Sequence, residues 1–287
     1  MFAYRHLYHA GNFADVFKHI LLTQLISIIQ KKEKPIFVLD THAGVGRYDL
    51  SHPWVQKNKE YEFGVSRLFG STDYPIEVSK YMDFLKEENP SGSLAFYPGS
   101  PIIISKLLRM QDRAFCVEAN KNDFEVLGEV VAGNRRVTAK LGDGFNSLQS
   151  MLPPKERRGL IFMDPAFDQK GEYDRIVASF ATGLRKFATG IYVAWFPLSN
   201  QFPVRDFYQK LTALSVKRTI SFELDIDDEN FIGQMRSCGL VILNCPYLFE
   251  ESVYPALRWL CGVFSQQGSA TFKTRLLVDG NSDNLTC

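Results

Sequence analysis

Four short apolar runs in this chain each run into a carboxylate, and no other feature of the sequence restricts its fold as tightly. Pro35-Ile36-Phe37-Val38-Leu39 leads to Asp40, and Ala114-Phe115-Cys116-Val117 to Glu118. Val137-Thr138-Ala139-Lys140-Leu141 leads through Gly142 to Asp143, and Leu160-Ile161-Phe162-Met163 to Asp164. Continuous apolar runs of this length read as strands buried on both faces, which is the signature of a parallel sheet covered by helices. In such sheets ligands bind beyond the carboxyl ends of the strands. Four acids in succession therefore predict a lined cleft with places for an amino acid, a ribose, a purine edge and a substrate.

The intervening segments support this alternation. Asn12 can cap a helix in which Val16, Ile20, Leu25 and Ile28 recur at near-helical spacing. Ser100 followed by Pro101 reads as an N-cap with proline in the first turn, leading into Ile102–Leu108. A helix is expected from about Tyr173 to Phe187, a fifth strand over Gly190–Trp195, and later strands at Thr219–Leu224, Gly239–Leu243 and Thr271–Leu277. Helical segments fall around 204–214 and 250–264. Residues 47–93 break the pattern with scattered aromatics and excess acid, and are read as an inserted helical subdomain; 1–46 and 94–287 form the core.

The chemistry concentrates at Asp164-Pro165-Ala166-Phe167. An acid beside a flat ring at a strand end suits a planar, hydrogen-bonding substrate such as a nucleobase. Small residues after the first strand, Gly44-Val45-Gly46, let the backbone approach a cofactor closely. The pattern falls short of the full dinucleotide glycine fingerprint, and no Gly-Lys-Ser/Thr follows, which excludes a P-loop. Asn244-Cys245-Pro246-Tyr247 has a similar acceptor-x-proline-aromatic form, but its late position reads as a turn. Net charge is +1, so any contact with nucleic acid must use local patches, such as Lys31, Lys32 and Lys34 or Arg135-Arg136. The five cysteines are scattered without a Cys-x-x-Cys pair, arguing against a disulfide framework or zinc site and for a reducing cytoplasm. No apolar run is long enough for a bilayer span.

At this point the chain resembles a known family. Tyr4-Arg5-His6, His9-Ala10-Gly11-Asn12, Ala14-Asp15-Val16, Lys18-His19, Leu39-Asp40-Thr41-His42-Ala43-Gly44, Tyr97-Pro98-Gly99-Ser100-Pro101, Asp143-Gly144 and Phe187-Ala188-Thr189-Gly190-Ile191-Tyr192 are similar to the RlmJ family, bacterial 23S ribosomal RNA adenine-N6 methyltransferases. The resemblance implies a Rossmann-like class I fold using S-adenosylmethionine (SAM), in a monomer acting on 23S ribosomal RNA without metal or membrane. It places His19, His42, Ser100, Glu118, Asp143, Gly144 and Asp164 at the cofactor pocket and Tyr4 at the RNA. Asp164, the Pro165 carbonyl and Phe167 become the catalytic group, gripping and stacking on an unstacked adenine. The family pattern at that site is Asp-Pro-Pro-Tyr; this chain has Ala166 and Phe167 in its last two places. That departure motivates two rivals, a non-catalytic RNA-binding protein of the same fold and, given the near-zero charge, a small-molecule methyltransferase.

Overall fold

A computed structural model describes residues 5–198, 204–226, 235–265 and 270–279. Helix α1 (Phe13–Ile29) precedes β1 (Phe37–Asp40), and a short antiparallel pair, β2 (Arg47–Asp49) and β3 (Phe96–Pro98), brackets α2 (Pro53–Asn58) and α3 (Ile76–Glu88). Helices and strands then alternate through α4 (Ser100–Leu107), β4 (Arg113–Glu118), α5 (Lys121–Val131), β5 (Val137–Leu141), α6 (Gly144–Met151), β6 (Gly159–Met163), α7 (Glu172–Lys186) and β7 (Ile191–Pro197). The remaining elements are α8 (Val204–Ala213), β8 (Thr219–Asp225), β9 (Ser237–Leu243), α9 (Phe249–Phe264) and β10 (Thr271–Val278).

These strands form a Rossmann-like, mostly parallel sheet of eight in the order β10-β8-β9-β7-β6-β1-β4-β5, flanked by helices. Strands β5, β4, β1, β6 and β7 run parallel. The chain steps outward from β1 to β4 and β5, then returns to β6 on the other side of β1. That reversal parts the loops above β1 and β6 and is where an α/β sheet opens a binding crevice. The last three strands pair antiparallel. Only residues 226–236 separate β8 from β9, too few for the crossover that a parallel pair requires.

Asn12 caps α1 as expected, its side chain accepting from Asp15 N. Ser100 does not act as a cap: the helix begins at Ser100 itself, with Gly99 in the cap position. Its hydroxyl donates to the Asp40 carboxylate at 2.7 Å instead, and a buried acid is the stronger acceptor.

Helix α1 is buried along nearly its whole length, Lys18 and His19 included. Val55, Leu68, Tyr81 and Leu85 of the 47–93 segment are buried in the same apolar cluster as α1. The two parts approach closely at Gly64. Val65 N donates to Gly11 O at 2.8 Å, and a β-carbon on Gly64 would stand 2.0 Å from that carbonyl. Gly64→Ala must therefore push the segment off the start of α1. We expect a loss of about 1–3 kcal/mol, read as a lowered urea midpoint; an unchanged midpoint would show that the contact yields freely.

Candidate active site

Strand β6 is buried at every position and ends at Met163, with Asp164 next in the chain. Pro165 cannot donate to a sheet ladder, and Phe167 adopts a positive φ of 52°, so the chain turns sharply out of the sheet. The Asp164 side chain, 14% exposed, borders a cleft of about 840 Å³ above β1 and β6. Pro165, Ala166 and Phe167 line the same cleft. The Phe167 ring lies tilted on Tyr173, centroids 4.9 Å apart, and edge-on to Trp195 at 5.8 Å.

Opposite Asp164 stands Lys18. Asp15 and Lys18, three residues apart, share one face of α1, and because α1 is buried all round that face points into the protein. Lys18 Nζ lies 2.6 Å from Asp15 Oδ1 and 2.5 Å from Asp164 Oδ2. Burial works against the lysine's charge, but the two carboxylates outweigh it and raise its pKa. Burial also works against Asp15, yet His6 and Lys18 hold it well below the usual carboxylate range. His6 Nε2 sits 3.0 Å from Asp15 Oδ2, which also accepts from Gly11 N. The result is a chain of contacts, His6–Asp15–Lys18–Asp164, that occupies Oδ2 of Asp164. Oδ1 accepts no hydrogen bond among the described residues.

The other strand-end acids divide their work. Glu118, at the end of β4, lines the cleft and accepts Gly44 N at 2.9 Å and Asn120 N at 2.7 Å. With the Ala119 amide also acting on it, the carboxylate has about four acceptor sites and keeps capacity for a further donor. Burial pushes its pKa up. Asp143 accepts from the amides of Phe145 and Asn146 at the start of α6 and pairs with Arg175 at 2.9 Å. Gly144 is required beside it, since a β-carbon there would lie 1.9 Å from Thr41 O. Asp40 departs from expectation. It is fully buried beneath the cleft rather than lining it, because Ser100 and the His42 amide cover its oxygens. Burial, opposed by the Ser100 bond and reinforced by Asp164, pushes its pKa up to about 7.

His19, His42 and Ser100 all reach the cleft. Burial depresses both imidazoles, to about 3 for His19 and about 4 for His42, so they are neutral at physiological pH. His19 Nδ1 is 2.7 Å from Tyr97 OH, and His42 meets the Phe145 ring edge-on at 4.8 Å. Tyr4 lies outside the described residues.

A single 3-10 turn, His6–Tyr8, lies along the rim. Arg5 grips Asp123 of α5 through both carboxylate oxygens. Tyr8 stacks on Trp54 of α2, ring centroids 5.5 Å apart.

Asn244 is set aside by topology. Strand β9 runs against β7, pairing Leu243 with Tyr192, so it ends on the edge of the sheet away from the cleft. Asn244 there donates to the carbonyls of Ala188 and Gly190. Sequence reasoning misses Lys18 and Asp15 as site residues. The signal is available in the composition of α1, since a helix apolar on every side must carry its charged residues inside. It also misses Glu172, a cleft residue whose buried Oε2 has no hydrogen-bond partner among the described residues and whose pKa burial raises to about 7.

Among the described residues no cluster of His, Cys, Asp and Glu could hold a metal ion, and no helix is long and apolar enough to cross a membrane.

Comparison with known proteins bears on this cleft. The family model described as ribosomal RNA large subunit methyltransferase D, RlmJ, matches residues 33–276. A Haemophilus influenzae protein named ribosomal RNA large subunit methyltransferase J is 36% identical over 273 residues, covering 95% of this chain and 97% of its own. An Escherichia coli protein of the same name is 36% identical over 260 residues, covering 91% and 93%. A Legionella pneumophila protein of known crystal structure superposes with a TM-score of 0.87 at 35% identity, over 93% of this chain and 98% of that one.

Two measurements test the electrostatics. Asp40 ordinarily titrates near 3.8 and is raised to about 7 on folding, so the native state holds a proton there that the unfolded chain has released. Its contribution is complete below about 4 and is lost as pH rises to about 7. Asp40→Asn should flatten the pH dependence of urea unfolding in that window; an unaltered slope would refute the buried, protonated state. Lys18→Met leaves Asp15 and Asp164 confronting each other, a loss of about 3–5 kcal/mol. Because the facing carboxylates then favour a bound proton, the deficit should shrink as pH falls. A deficit constant with pH would reduce the lysine to packing.

Proposed function

The chain belongs to the RlmJ family of ribosomal RNA large subunit methyltransferases, and from that membership we propose that its cleft transfers a methyl group from SAM to the N6 amine of an adenine in 23S ribosomal RNA. The observation that carries the reading is Asp164: a carboxylate at the switch point, pinned through one oxygen by Lys18 and open through the other.

The cleft fits the cofactor on the chemistry of its lining. Gly44, at φ 60°, and Gly144 line the cleft with bare backbone, and neither accepts a β-carbon, which would meet Tyr48 OH or Thr41 O. Glu118 has acceptor sites for ribose hydroxyls, and Asp143 and Gly144 border the place for the adenine edge. His19, His42 and Ser100 are assigned to the amino-acid end. Asp40 acts there only through Ser100, whose hydroxyl it orients. When bound, SAM supplies an electrophilic methyl group.

The chain's own residues do the rest. An adenine N6 amine is a poor nucleophile because its lone pair is delocalised into the ring. Asp164 Oδ1 accepts one N–H and the Pro165 carbonyl the other, holding the nitrogen toward pyramidal geometry. Lys18, by occupying Oδ2, prevents the carboxylate from rotating away. That is catalysis by positioning and preorganised charge. Reaching the amine requires an adenine out of the stack, at a cost of a few kcal/mol. Phe167, with Tyr173 and Trp195 behind it, offers a stacking surface that returns roughly 1–3 kcal/mol. The ring in place of tyrosine loses a hydroxyl and keeps that surface. Tyr4 is assigned to the RNA on the resemblance alone, and 47–93 is taken as an insertion that walls the cleft beside α1.

Asp164→Ala should retain SAM affinity by calorimetry while methyl transfer to unmodified 23S RNA falls at least about 10–100-fold, the loss of one charge-assisted hydrogen bond being about 1.5–3 kcal/mol. Transfer at the wild-type rate would remove Asp164 from the mechanism, and absence of SAM binding to the wild-type chain would favour a non-catalytic role.

A further inference from the structure

The near-neutral net charge conceals a division between the two edges of the sheet. Strands β1, β4, β5 and β6 run parallel, and β8, twice reversed through β9, shares their direction with β7. The connections entering β1, β4, β5, β6 and β8 therefore lie on one edge, a strand length from the cleft. Those five segments, 30–36, 108–112, 132–136, 152–158 and 214–218, carry eleven Lys or Arg against three acids. Two of the acids are withdrawn from solvent. Asp112 is buried against Arg109, and Glu156, 4% exposed, is held by Arg113.

Six of the cations, Lys31, Lys32, Lys34, Arg135, Lys155 and Arg157, are exposed and have no ion-pair partner among the described residues. At the cleft edge three cations are paired, Arg5 with Asp123, Lys18 with Asp15 and Asp164, and Arg175 with Asp143, and Lys57 lies over the Tyr8 ring. The unmatched edge is also held in shape. Arg109 donates to the carbonyls of Gln30, Lys32 and Lys34, and Arg158 to those of Ile29 and Lys34. Arg136 ties in the carbonyl of Leu108 at 2.6 Å. Arginines that bind backbone leave the neighbouring lysines displayed on a fixed frame.

We propose that this edge is a second RNA-binding surface, contacting phosphates of the large RNA away from the nucleotide in the cleft. The inference rests on the RNA substrate assigned above and extends it, because a partner of uniform negative charge matches a row of cations without counter-ions. Phosphate contacts position without reading sequence, and a long RNA is able to bend round one strand length, roughly 15–20 Å. Helix C-termini also end at this edge and favour cations through their dipoles, so the test must separate the two roles.

The experiment compares the full chain with K31Q/K32Q/K34Q, R135Q/K155Q/R157Q and the six-fold variant. Probes are a full-length unmodified 23S transcript and a short adenine-containing hairpin. The six-fold variant should bind the transcript about tenfold or more weakly at physiological salt, and its salt slope should flatten by roughly 0.9 for each duplex phosphate that is no longer neutralised. Hairpin binding, SAM affinity and melting temperature should stay as in the wild-type chain. An unchanged salt slope on the transcript overturns the proposal, as does an equal loss on the hairpin. A lowered melting temperature with intact transcript binding assigns these residues to the helix dipoles, and reduced binding of polyglutamate alone assigns them to an acidic protein. Methylation by a wild-type chain whose variants all share its slope would remove the second surface and leave the cleft reading standing. Salt-dependent binding without methylation would do the reverse.

Discussion

One ammonium group joins the two halves of the site. Lys18 on α1 meets Asp164 at the end of β6 while Asp15, a turn away, shares its charge. Two carboxylates close to one lysine would be intolerable in so dry a place without further compensation. His6 and the Gly11 amide supply it at Asp15, and the cleft supplies it at Asp164. The arrangement fixes where α1 must lie on the sheet, and with it the N-terminal turn that precedes the helix. A buried ion network of this kind contributes definition of geometry more than net stability, and geometry is what an acceptor for an amine needs.

Around that bond the fold distributes its polar groups by depth. Asp40 lies lowest, its pKa raised by burial, and fixes Ser100. Glu118 and Asp143 stand at the surface of the cleft, with backbone amides already filling part of their capacity. Neutral His19 and His42 add donors and acceptors without adding charge. A cationic ligand and an electron-rich base would both be served by this mixture of fixed carboxylates and uncharged rings.

The strand-end acids were legible because an apolar run followed by a carboxylate has few other uses, and the Asn12 cap and approximate extents of α1 and α7 were legible too. What the sequence hid was depth. Nothing local tells Asp40, sealed under Ser100, from Asp164, which faces the cleft; the difference lies in what covers each strand end. Lys18 escaped notice because its partner is remote in the chain and meets it only when α1 docks. Ser100 misled because a serine before proline suits both the cap and the first helical position, and the choice was made by Asp40. The three-residue strands β2 and β3 carry too little pattern to stand out. The direction of β9 disposes of Asn244, and direction is a property of pairing that a single strand does not display.

The turn at His6–Tyr8 is fastened on both sides of the opening, by Arg5 to α5 and by Tyr8 to α2. Arg5 is therefore held beside the mouth of the cleft. The doorway for incoming nucleotides is thus framed by a turn tethered at both flanks, so loosening either tether would alter the width of the entrance without touching the chemistry inside.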